Sequence, residues 1–172
     1  MLPHDSSGYD MSAFGRSLAR RLTAVTWQPE FNVMLFAFLL NYPWEFMQVP
    51  LFEGMADQPH WEAVKVCTRA ALGDAVIMLI AYWAVAVLRR SRAWIAAPGR
   101  RSMWILRSIG VFIAVIIEWL ALHGWWLASW RYSTAMPIVP GLGVGLVPVL
   151  QWVVVPSLVT ALVGRVLRGR GT

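Results

Sequence analysis

Three acidic residues, Glu45, Asp74 and Glu118, stand inside long apolar stretches of this chain, with amide residues beside them. Asn41, Glu45 and Gln48 are spaced i, i+4 and i+7, which places them along one stripe of a helix. Asp74 falls in Leu72-Gly73-Asp74, and Gln151 comes almost one turn after Pro148. A carboxyl group in an apolar setting suits three tasks: carrying a proton, holding a cation, or protonating a bound substrate as a general acid. The cation expected nearest in depth is Arg69, so the charges do not balance. Either some of the carboxyls keep their proton, or a bound cation compensates them. The competing reading is structural: Glu45 or Asp74 pairs with Arg69, while Asn41 and Gln151 bridge helices as polar glue. Glue alone seldom needs three acids, which favours a site made of Asn41, Glu45, Gln48, Arg69, Asp74, Glu118 and Gln151. Glu45, Asp74 and Glu118 are its candidate catalytic groups.

Other chemistries find less support. The single cysteine, Cys67, excludes an internal disulfide and a multi-cysteine metal centre. No Glu-x-x-His pair occurs, so the di-iron bundle pattern is missing, and no metal ligands are assigned. His60 reads as a loop residue, and His123 lies off the face of Glu118. No serine has the partners of a hydrolytic triad. Gly141-x-Gly143-x-Gly145 follows no strand and is not a nucleotide loop. Tyr42, Tyr82 and Tyr132 are able to donate hydrogen bonds but stand at span ends, where tyrosine is ordinary. Trp119, Trp125, Trp126 and Trp130 read as an aromatic belt.

The elements that must position these residues follow from hydropathy. The 172 residues are 58% hydrophobic and only 14% charged, too apolar for a soluble domain of this size. A helix needs about 20 apolar residues to cross the hydrocarbon core. Four stretches qualify, at about 31–51, 64–88, 104–126 and 143–164. The fold expected is all-α: a polytopic membrane protein, a single domain over 1–172, built as a four-transmembrane-helix bundle. Pro29 and Glu30 suit the first turn of the first span. Pro43 deprives the carbonyl of Leu39 of its usual partner and should kink that helix. Ala70, Ala71 and Gly73 promise close packing beside Asp74. Before the first span, Met11, Phe14, Leu18, Leu22 and Val25 recur at spacings of three and four. Arg16, Arg20 and Arg21 fall mostly on the other side. This predicts a short amphipathic interfacial helix over 11–26. The first apolar run begins too late for a signal peptide and is expected to remain as an anchor.

Charge sets the orientation. The N-terminal segment (Arg16, Arg20, Arg21), the middle link (Arg89, Arg90, Arg92, Arg100, Arg101) and the tail (Arg165, Arg168, Arg170) hold eleven cations. The opposite loops hold only Lys65 and Arg131 near the surface. The positive-inside rule then puts both termini in the cytoplasm. Arginine-dominated cations with abundant Ala, Gly and Trp suggest a bacterial cytoplasmic membrane. Counting a rise of about 1.5 Å per residue, all the buried polar residues fall between the midplane and the outer third.

The function expected is a small membrane protein whose buried carboxylate and amide pocket binds a proton, a cation or the polar end of a lipophilic molecule, with acid/base chemistry on it as an option. The alternative is a non-catalytic accessory subunit of a larger membrane complex, packed against partner membrane proteins, lipids or pigments. A proton or ion conductor ranks last, because the inner halves of the spans offer little beyond Ser108 and Thr160. The lipid bilayer is the expected partner. Nucleic acid is not, since the arginines flank apolar runs and no nucleic-acid motif occurs. Nothing in the sequence names a cofactor.

Overall fold

The computed structural model describes residues 28–125 and 129–169. The interfacial helix expected over 11–26 lies outside the described residues, as do Trp126 and Arg170. The described residues are helical, with no named strand: α1 (Pro29–Gln48), α2 (His60–Arg89), α3 (Arg100–Leu122) and α4 (Leu146–Gly169). Two short 3-10 turns, Val49–Leu51 and Arg92–Ala96, sit in the links. By length and composition α2, α3 and α4 are each able to cross a membrane. The same test does not pass α1, because its core-facing residues include Asn32, Asn41 and Gln48, with Glu45 beside them. The polar stripe that makes α1 chemically interesting also lowers its apolar character.

Element boundaries follow local chemistry. Pro50 has no N–H to continue a helix, and α1 gives way to the 3-10 turn there. α2 begins at His60, directly after Pro59, so His60 is a helix residue and not a loop one. It ends at Arg90 in the left-handed region (φ 50°), where the N–H groups of Arg90 and Ser91 bond back to the carbonyls of Val87 and Ala86. α3 starts immediately after Pro98-Gly99, ahead of the expected span. α1 runs through Pro43 and α4 through Pro156 without a break in helix.

The helices form an up-and-down square in which α1 packs on α2 and α4, and α3 packs on the same two. The centre of the basic end is apolar: Val33, Ala37, Met78, Val85, Val155 and Val159 are all fully or almost fully buried. The link over Arg92–Ala96 closes that end and is more than a basic turn. Trp94 and Ile95 are buried in the bundle, Trp94 stacks on Tyr82, and the Tyr82 hydroxyl donates to the Arg92 carbonyl at 2.7 Å. Arg168 of α4 donates to the Ala96 carbonyl. Arg92 makes two bonds to Glu30 of α1, at 2.7 and 2.6 Å. At the opposite end, the α1–α2 and α3–α4 loops are laced together. Phe52 and Tyr132 form an antiparallel bridge, and the Ser133 N–H donates to Leu51.

The close approach that sequence suggested at Gly73 occurs elsewhere. A Cβ at Gly73 would meet nothing within 4 Å, whereas one at Gly110 would collide with the ring of Trp152. Gly110 therefore lets α3 and α4 approach, while Gly73 borders open space. Gly110→Val is expected to destabilise the protein by about 1–3 kcal/mol through overpacking. Gly73→Ala should instead be neutral or stabilising by up to about 1 kcal/mol. Thermal unfolding of the detergent-solubilised chain reads both.

The Glu30–Arg92 pair gives a pH signature. Burial pushes the Glu30 carboxyl up, but the bonds from Arg92 outweigh it and hold the group below its ordinary 4.5. A folded value below the unfolded one adds stability above pH 4.5 that is lost as pH falls through the folded value. Glu30→Gln should thus lower the unfolding midpoint at neutral pH, and the gap to the wild type should close on acidification.

Candidate functional site

Gln151 sits at the centre of the bundle, 3% exposed. Its Nε2 lies 2.9 Å from Asn41 Oδ1 and 3.1 Å from Glu45 Oε1 on α1, and 2.7 Å from Asp74 Oδ2 on α2. Three surrounding oxygens identify that atom as the nitrogen, since a carbonyl oxygen there would face only acceptors. An amide nitrogen carries two hydrogens, so three acceptors compete for them. The Glu45 and Asp74 carboxyls thus meet across the same amide nitrogen. Glu45 Oε2 accepts from Gln48 Nε2 at 2.8 Å. Thus the i, i+4, i+7 stripe of α1 meets Asp74 and Gln151, and three helices are joined through one amide.

Glu118 is held separately. Its Oε2 accepts from Trp130 Nε1 at 3.1 Å and from the Tyr132 hydroxyl. Tyr132 is fixed in turn by the Gly145 N–H, which donates to its oxygen at 2.8 Å. A side chain at Gly145 would press on Met136 Sδ at 2.9 Å, so the glycine lets the hairpin of 136–145 close over Tyr132. Burial, and then Glu118, push the Tyr132 phenol well above its ordinary value, so it remains a donor at any physiological pH.

Both groups face one cavity of about 530 Å³. Glu45, Gln48, Arg69, Asp74, Glu118 and Gln151 all line it, and most of the remaining lining is apolar. Of the proposed site residues only Asn41 is set back, behind Gln151. α1 and α4 form the closed wall, with Gln48, Pro148, Gln151 and Trp152 buried. The exposed lining residues are Val66, Arg69 and Gly73 on α2 and Ser129 beyond α3. They mark the mouth on the α2–α3 side.

Arg69 does not take the role of counter-ion. The described residues contain two ion pairs, Lys65–Glu62 and Arg92–Glu30, and neither involves Arg69. Arg69 is exposed, while Glu45 and Asp74 bond to amide nitrogens and Glu118 to Trp130 and Tyr132. No group of three His, Cys, Asp or Glu side chains able to cage a metal ion occurs among the described residues, because the acids divide into a pair and a single. His123 turns away, with Nδ1 2.7 Å from the Trp119 carbonyl and its ring against Trp119.

One part of the site, and one half-buried cation outside it, were not legible as such. Tyr132 and Trp130 reach Glu118 from a loop, and no helical periodicity connects a loop residue to a helix position. Arg107, inside α3, donates to Ser157 Oγ of α4 at 2.8 Å and is a second cation among the helices. Its place near the start of an apolar run was the available signal. No family model, curated protein or solved structure matches this chain.

Gln151→Leu would remove the two N–H donors that the Asn41, Glu45 and Asp74 oxygens share. Each such loss costs about 1–3 kcal/mol, so the variant should unfold at a clearly lower temperature. Equal stability would show that the amide holds nothing together.

Proposed function

We propose that the chain is a four-span protein of a bacterial cytoplasmic membrane, with both termini cytoplasmic. Its cavity, in the outer half of the bilayer, receives the polar end of a lipophilic molecule. One observation carries this reading: a largely apolar cavity with a mouth between α2 and α3 ends on a wall of carboxyl and amide groups. Ligand sites share this design, an apolar enclosure with a few placed polar groups. A sideways mouth suits a molecule that arrives from the lipid. Counting α1 as a span makes an even number of crossings, and the arginines of the 89–101 link and of the α4 tail then lie on the cytoplasmic side.

The division of the acids favours a ligand head over a caged cation. A conducting role has less support, because Val33, Ala37, Met78, Val155 and Val159 are buried between Gln151 and the basic end. Asp74 and Glu118 face the cavity from different helices and are the groups placed to exchange a proton with a bound head.

Mass spectrometry of lipophiles retained by the gently solubilised full chain tests the reading. A near-stoichiometric molecule is expected. Asp74→Asn and Glu118→Gln should each reduce its retention about fivefold or more, the loss of one polar contact in a buried site. Gly73→Phe should occlude the mouth and abolish retention without lowering thermal stability, because nothing occupies the space beside Gly73. Unchanged retention in all three variants would defeat the proposal.

A further inference from the structure

We infer that the cavity selects amphiphiles whose head donates hydrogen bonds, a hydroxyl or an ammonium group, over those with carboxylate or phosphate heads. This inference rests on the ligand reading above and concerns the head alone. Its basis is an accounting of donors and acceptors on the polar wall. Most donors there are engaged by the protein itself: Gln151 Nε2 by three oxygens, one N–H of Gln48 by Glu45, and Trp130 Nε1 and the Tyr132 hydroxyl by Glu118.

Acceptors remain. Gln48 is 6% exposed, and its Oε1 is buried with no partner. The orientation of that amide is dictated by the Glu45 carboxyl, which must face the nitrogen. Glu118 is 9% exposed and places both of its bonds from the described residues on Oε2, leaving Oε1 open. These two oxygens belong to α1 and α3, diagonal helices of the square, and both residues line the cavity. A ligand O–H or N–H between these walls meets the open Glu118 Oε1, with the Glu45 and Asp74 carboxyls also on the lining. An anionic head would add acceptors to a wall already rich in them, with like charge close by.

Arg69 is the one lining cation, and it stands at the exposed mouth. An anion bound there would leave the deep polar wall facing the apolar tail. The choice between mouth and wall therefore separates anionic from donor-bearing heads.

The test uses one chain length with five ends. The full chain in detergent at mildly alkaline pH is given hexadecanol, hexadecylamine, palmitate, hexadecyl phosphate or hexadecane, and occupancy is read by native mass spectrometry. Hexadecanol or hexadecylamine should exceed palmitate and hexadecyl phosphate by about tenfold or more, the range for leaving a buried polar group unpaired. Glu118→Gln, which converts one acceptor to a donor, should remove most of that preference. If that variant does not fold, Asp74→Asn should narrow it. Should the anions match or outrank the donors, the head rule fails while the ligand reading stands. Should none of the four exceed hexadecane, the ligand reading fails, and this inference with it.

Discussion

An amide with two hydrogens faces three oxygens from two other helices, and much of the molecule is arranged to keep it there. In an apolar bundle, polar groups have no water to fall back on and must be satisfied by one another. Gln151 meets this requirement for Asn41, Glu45 and Asp74 together. α4 must then lie deep enough to place an amide on the bundle axis. The approach of α3 over Gly110 and the packing of Trp152 next to Gln151 are the means.

The two ends of the bundle are built on different principles. The basic end is closed by a plug of Trp94 and Ile95, stacked on Tyr82 and fastened by Arg92 and Arg168. The other end is closed by loops whose backbones pair, and it is there that the cavity lies. Rigidity at one end and a cavity under paired loops at the other confine the open volume to the polar half. A glycine at 73 keeps that volume open on one side, and a glycine at 145 lets the loop settle onto Tyr132 on the other.

Much of this was legible in the residues. Apolar runs located the helices, and the four acid- and amide-bearing stretches converged on one cavity because helical periodicity and depth are both encoded locally. The pairing of Asp74 with Gln151, across the diagonal of the square, was not. Nothing in a linear pattern states which residues at equal depth will touch. Arg69 lines the same cavity from an exposed position and forms no ion pair among the described residues, so the polar-glue reading of that residue finds no support. Of the small residues Ala70, Ala71 and Gly73, Ala71 is fully buried, while Gly73 borders open space and the tight glycine is Gly110 against the ring of Trp152. The Glu118 anchor comes from a loop, where turn residues forecast a bend but not its destination.

Gln151 lies 77 residues after Asp74 in the chain, and this separation bears on how the protein is made. Synthesis delivers α1 and α2 first, so Glu45 and Asp74 enter their environment as a hairpin without the amide that later binds both. During that interval the Gln48 amide, which donates to Glu45, is the partner already in place for the two acids. The arrival of α4 is therefore the step that commits the assembly, and it comes last. A ribosome stalled or a chain truncated before Gln151 would leave a hairpin with its acids unfastened, a form that quality-control proteases should distinguish readily from the finished bundle.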